Sequence, residues 1–178
     1  MRKLSIIVSF FTALVACEKN TTKTENNNVV DYHERCRKLV LEENKPNQNY
    51  KFNKDGKEID QQSITYLGNV ITSKKDTLKI VSYINYTGLS EDSKRGGGEL
   101  YIYDGHNKQI GFYYLGNALA IPSKLENNKS LLFDYNNDLC NQKTKISLQD
   151  SIPKKIFIQC TKEGGDLYDF KPANKPAS

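Results

Sequence analysis

Residues 77–86 read TLKIVSYINY, and their alternation decides the fold class. Leu78, Ile80, Ser82, Ile84 and Tyr86 share one face, and Lys79, Val81, Tyr83 and Asn85 share the other. That two-residue period belongs to a β-strand. Downstream, residues 99–104 (ELYIYD) and 109–115 (QIGFYYL) flank Gly105-His106-Asn107-Lys108, which reads as a hairpin loop. In a regular hairpin Tyr101, Tyr103 and Tyr113 point away from Leu100, Ile102, Phe112 and Tyr114. Exposed tyrosines on a rigid sheet offer large contact area at little entropy cost, so Tyr101, Tyr103 and Tyr113 are the candidate binding face for protein or sugar. The other reading of the same residues is cross-strand packing in a two-layer core.

Working outward, residues 63–72 (SITYLGNVIT) form another strand region. Tyr50-Lys51-Phe52 and Lys57-Glu58-Ile59 flank Asp55-Gly56, a turn dipeptide that tolerates positive φ. Toward the C-terminus, residues 131–135 follow a turn at Asn127-Asn128-Lys129. Residues 144–148 (TKISL) and 154–159 (KKIFIQ) are expected to pair as a hairpin around Pro153, and residues 167–170 add a short final strand. Residues 29–43 carry a helical stripe of Val29, Tyr32, Cys36, Leu39 and Val40, with Asn28 at the N-cap and Pro46 beyond the end. Sequential hairpins imply antiparallel pairing. The expected fold is mainly β, an antiparallel sandwich or small barrel of about eight or nine strands with one N-terminal helix. Tyr66-Leu67-Gly68-Asn69 recurs as Tyr114-Leu115-Gly116-Asn117, both read as strand ends entering a turn.

The N-terminus follows a different logic. Arg2 and Lys3 precede residues 4–16 (LSIIVSFFTALVA), an apolar stretch shorter than the ~20 residues of a spanning helix. A charged start, a short apolar core and small residues at its end make a secretory signal. Residues 18–28 (EKNTTKTENNN) contain no apolar side chain and read as a flexible tether. The expected organisation is a signal peptide over 1–16, a modified cysteine and tether over 17–28, one β-rich domain over 29–170, and a frayed tail over 171–178.

Leu14-Val15-Ala16-Cys17 resembles the lipobox of bacterial lipoproteins. The resemblance implies diacylglycerol on the Cys17 thiol and cleavage between Ala16 and Cys17. It implies a protein exported and tethered to a membrane by lipid. With Glu18 rather than Asp as the second mature residue, it implies the outer membrane over the inner; the periplasmic or surface side stays open. The chain after residue 28 resembles the small lipoproteins common in Bacteroidota. Asp76-Thr77-Leu78 and Asp150-Ser151-Ile152 resemble that phylum's O-glycosylation sites, which implies Thr77 and Ser151 as acceptors.

With 178 residues, the chain is sized for one domain. Loss of Arg2 and Lys3 lowers the formal +5 charge of the whole chain to about +3, and the basic residues are scattered. Nucleic acid is not an expected partner, because such binding needs clustered cations. Besides Cys17, three cysteines remain. The hairpin around Pro153 brings Cys140 toward Cys160, and they are the expected disulfide in an exporting compartment; two buried thiols are the alternative. Cys36 is then a buried thiol.

Only His33 and His106 are available as catalytic histidines, and no motif supplies a metal with further ligands. No metal, cofactor or catalytic residue is expected. Lys94-Arg95-Gly96-Gly97-Gly98 reads as a flexible β-connection rather than a phosphate loop, since it leads into a strand. The expected function is a lipid-anchored cell-envelope protein with a non-catalytic binding domain. An inhibitor or immunity lipoprotein against a toxin or hydrolase, and a sugar- or envelope-polymer-binding module, are the specific alternatives.

Overall fold

A computed structural model describes residues 31–54 and 60–173. The expected signal peptide with Ala16, the expected lipid site Cys17, the expected tether, the expected turn at Asp55-Gly56 with Lys57-Glu58-Ile59, and residues 174–178 lie outside the described residues.

The chain opens with helix α1 (Tyr32–Glu43), then runs through β1 (Asn49–Asn53), β2 (Gln61–Ile71), β3 (Thr77–Thr87), β4 (Arg95–Asp104) and β5 (Gln109–Tyr114). It continues with β6 (Lys124–Glu126), β7 (Ser130–Asp134), β8 (Lys143–Ser147), β9 (Lys155–Gln159) and β10 (Gly165–Pro172). A seven-stranded sheet has the order β1-β2-β3-β4-β5-β10-β9, and a three-stranded sheet the order β6-β7-β8. Every pairing is antiparallel, and the large sheet is open, with β1 and β9 at its edges. Among the described residues the fold is therefore an antiparallel sandwich with one α-helix and no closed barrel. Among the described residues no helix is long and apolar enough to cross a membrane.

The alternation of β3 explains the layering. Leu78 and Ile80 join Leu100, Ile102, Tyr113, Ile156 and Ile158 against Leu131 and Phe133 of the small sheet. Val81 and Tyr83 face the other way, under α1, with Tyr66, Tyr101 and Tyr103. A central strand covered on both faces needs apolar residues at both parities, as TLKIVSYINY has.

Asparagine shapes the connections. Asn44, Asn47, Asn107, Asn127 and Asn128 all adopt positive φ, the left-handed region that Asn tolerates better than other side-chain-bearing residues. Asn44 ends α1 there, its N–H donating to the Val40 carbonyl at 3.3 Å. Asn127 and Asn128 turn β6 into β7.

Several expectations need correction. The N-cap position is Asp31, not Asn28, and the helix presents Cys36, Arg37, Val40 and Leu41 inward. Leu39, expected on the inward stripe, is 37% exposed. β8 and β9 do not form a hairpin ladder; they belong to different sheets. β1 pairs along β2, Asn49 with Thr65 through Asn53 with Gln61, so its partner strand begins beyond residue 60. Gly96, Gly97 and Gly98 lie inside β4, paired with Tyr86, Asn85 and Ile84. Gly68 is a positive-φ bulge within β2 rather than a strand end, whereas Gly116 does follow β5. β10 runs to Pro172, and the Ala173 N–H donates to the Ile110 carbonyl at 2.9 Å, so residues 171–173 are held.

Cys140 and Cys160 form the disulfide, and Cys36 is a buried thiol outside it. Cys160 follows edge strand β9 and Cys140 precedes edge strand β8, so the bond staples the rims of the two sheets.

Candidate functional site

The α1 side of the large sheet is crossed by rows of side chains that strand register puts side by side. Tyr66, Val81, Tyr101 and Phe112 make one row; Ile64, Tyr83, Glu99 and Tyr114 the next; Gln62, Asn85 and Gly97 a third. The helix packs Cys36, Val40 and Leu41 onto the aromatic part of this face.

Arg37 makes that contact unusual. It is 6% exposed, and its guanidinium carbon lies 3.9 Å from the Tyr101 ring centroid and 5.4 Å from that of Tyr83. Its Nε donates to the Tyr103 hydroxyl at 2.9 Å. A flat, weakly hydrated cation is at home on aromatic faces. Alongside, His33 Nδ1 and the Tyr83 hydroxyl are 2.6 Å apart. The Tyr101 hydroxyl donates to Glu99 Oε2 at 2.5 Å. The clamp thus reaches through Tyr101 to a carboxylate that lines the open part of this face.

Beyond the helix the same face opens into a trough of about 330 Å³, lined by Asn85, Arg95, Gly97, Glu99 and Tyr114. Tyr114 is 50% exposed. The Asn85 Oδ1 is buried with no hydrogen-bond partner, as are both amide atoms of its register neighbour Gln62, itself 0% exposed. Buried polar atoms are normally paired, and leaving one unpaired costs about 1–3 kcal/mol.

The glycine run explains the space. A Cβ on Gly96 would sit 2.6 Å from the Ala118 Cβ, and one on Gly98 would sit 2.3 Å from the Asn117 carbonyl oxygen. Those two are needed for the close approach of the chain after β5. A Cβ on Gly97 would meet nothing nearer than the Gly116 carbonyl oxygen at 3.9 Å. Packing does not demand glycine at 97; its missing side chain opens the floor next to Asn85.

Comparison with protein-family models, curated proteins and solved structures finds no match for this chain.

The tyrosines expected to form the exposed face do not. Tyr101, Tyr103 and Tyr113 are 8%, 0% and 0% exposed. Tyr101 and Tyr103 lie under α1, while Tyr113 faces the sheet–sheet core and donates to the Pro153 carbonyl. The physical reason is a bulge. Tyr103 pairs with Gln109, but Ile102 pairs with Gly111, so one extra residue shifts the register. A one-residue shift moves every following side chain to the opposite face. It sends Tyr113 into the core and brings Phe112 and Tyr114 to the α1 side, where Tyr114 is the tyrosine left accessible.

His33 and Cys36 do not meet as ligands: His33 engages Tyr83, and Cys36 is packed into the aromatic core. His106 is exposed in the β4–β5 turn, its N–H donating to Asp104 Oδ1 at 2.8 Å. Among the described residues no three His, Cys, Asp or Glu side chains gather where a metal could sit. Thr77 is half-buried and Ser151 exposed. Their two turns adjoin, because the Ser73 hydroxyl donates to Asp150 Oδ1 at 2.8 Å and its N–H to the Gln149 carbonyl at 2.7 Å.

The residues missed in the sequence are Gln62, Asn85 and Glu99. Each continues an apolar stripe with a polar group: Gln62-Ile64-Tyr66, Val81-Tyr83-Asn85, Glu99-Tyr101-Tyr103. A polar residue at an inward parity was the available signal.

Burial raises the hydroxyl pKa of Tyr66, Tyr83, Tyr101, Tyr103 and Tyr113 above the usual phenol range. Burial, aided by Asp166, pushes Tyr135 and Tyr168 up to about 12. In the unfolded chain these groups ionise near ~10. Between that value and their folded values the unfolded state has released protons that the folded state keeps, so stability falls as pH rises. Thermal melts should be level up to about pH 9 and drop steeply above about pH 10, with the 295 nm tyrosinate absorbance rising together with unfolding. Ionisation of these tyrosines near pH 10 in an intact fold would contradict the burial described.

Proposed function

We propose that this protein is a lipid-anchored envelope protein whose β-domain binds a ligand and does no catalysis. The observation that carries the anchor is Leu14-Val15-Ala16-Cys17 at the end of a short apolar core with a basic start. Each buried acyl CH₂ contributes about 0.8 kcal/mol, and two chains hold firmly where one does not. Glu18 favours the outer membrane.

Binding is supported by the trough beside the helix clamp, where Asn85, the Glu99 carboxylate and half-exposed Tyr114 line space that packing leaves open. Neither His33 nor His106 is among the residues that line it.

Cell fractionation in the native host tests the anchor. The protein is expected in the membrane fraction, and Cys17→Ala should leave an uncleaved or mislocalised precursor that incorporates no labelled palmitate. A Cys17→Ala protein processed and distributed like the original would overturn the reading.

A further inference from the structure

We propose that the trough lined by Asn85, Gly97, Glu99 and Tyr114 is a binding subsite for a neutral glycan. This deepens the reading of the domain as a binding module and rests on it.

The chemistry of the lining selects the ligand class. The Glu99 carboxylate accepts one hydrogen bond from Tyr101 and has further lone pairs, and Asn85, whose own Oδ1 is shut off from solvent, forms part of the lining. Asn85 also carries an amide donor pair, and Arg95 brings guanidinium donors to the rim. Sugar hydroxyls both donate and accept, and so match a mixed set of this kind. A strongly anionic ligand would face the Glu99 carboxylate, and a cationic one would face Arg95. Tyr114, half exposed, offers a flat apolar surface for the C–H face of a pyranose ring while its hydroxyl stays wet. The volume of about 330 Å³ lies at the low end of the ~300–1,000 Å³ typical of small-molecule sites. It suits a short run of rings at a chain end or along a thin polymer.

Pre-organisation supports the assignment. Glu99 is held by Tyr101, and Tyr101 is held under the Arg37 guanidinium. The carboxylate is thereby fixed before any ligand arrives, which lowers the ordering cost of binding. Gly97 leaves a floor that any side chain would fill.

The second groove on this face differs in character. It is about 560 Å³, floored by Phe112 and rimmed by Lys108, Lys171 and Glu34. Lys171 Nζ lies 5.8 Å and 5.5 Å from the Phe112 and Tyr114 ring centroids. Two lysines there give a charged competitor for the test.

The full chain, purified in detergent, is applied to immobilised neutral hexasaccharides of glucose, mannose, xylose, galactose and N-acetylglucosamine, and to dextran sulfate. At least one neutral hexasaccharide should bind. Glu99→Gln and Tyr114→Ala should each weaken that binding tenfold or more. Gly97→Leu should abolish it with an unchanged melting temperature, since a Cβ there meets no close contact. Tyr101→Phe, which frees Glu99, should weaken binding while the clamp ring remains. No binding by any neutral hexasaccharide would overturn the proposal. So would undiminished binding by Gly97→Leu and Tyr114→Ala, or capture by dextran sulfate alone that is lost in Lys108→Ala/Lys171→Ala. The anchoring role fails separately, through the fractionation experiment; loss of the glycan site with the anchor intact removes only the trough.

Discussion

Arg37→Ala is expected to cost the domain about 3–5 kcal/mol, combining a lost hydrogen bond, lost ring contacts and a cavity. The side chain is buried, donates to Tyr103 and lies flat on Tyr101. Its removal leaves the Tyr103 hydroxyl without that donor and an empty space between α1 and the sheet. These losses share partners and so do not add independently. Lysine is a poor substitute, because a point charge cannot stack on the ring or keep the Nε geometry. An apolar side chain of similar volume avoids the cost of burying a charge. Arg37→Met combined with Tyr103→Phe should therefore recover most of what Arg37→Ala loses. Urea denaturation midpoints of the three variants check this. Arg37→Ala within about 1 kcal/mol of the original would contradict the clamp, since that is the size of an ordinary surface change.

Replacing Cys140 and Cys160 together by serine is expected to cost about 3 kcal/mol, the loop-closure value for a cross-link at this separation. The staple joins sheet rims that are otherwise tied there by few hydrogen bonds. The Asn141 N–H donates to the Cys160 carbonyl at 2.9 Å, and the Gln159 N–H to Thr144 Oγ1 at 2.9 Å. Domains are stable by only ~5–15 kcal/mol, so this loss is a sizeable share. Melting curves with and without reductant should differ by roughly 5–15 °C. Non-reducing peptide maps should link Cys140 to Cys160. Cys36, 0% exposed, should resist thiol reagents until the domain unfolds. A Cys36 linkage, or a reduced domain that melts unchanged, would contradict the assignment.

What could be read from the chain follows physical lines. The period of TLKIVSYINY, the Asn127-Asn128 turn and the Gly105–Lys108 loop are local signals, and they placed strands that the structure contains. The disulfide pairing was legible too, although the reason was partly different. β8 and β9 come together at two sheet rims rather than along one hairpin, and only tertiary packing distinguishes those cases. The tyrosine face was not read because the bulge between Ile102 and Tyr103 leaves Ile110 unpaired, and Gly111 beside it is the one local mark that QIGFYYL carries. The three-residue β6 was too short to carry a period. Arg37 was unreadable as a core residue, because hydropathy places arginine outside unless an aromatic floor receives it. The trough was hidden for a related reason. Asn85 and Gly97, and Glu99 and Tyr114, are separated in sequence and meet only through register.

Mass spectrometry of protein from its native host reads the proposed lipid anchor at the sulfur itself. An N-terminal peptide beginning at Cys17 and carrying a diacylglyceryl thioether is expected. A peptide that still spans Ala16-Cys17, or a Cys17 with a free thiol, would contradict it.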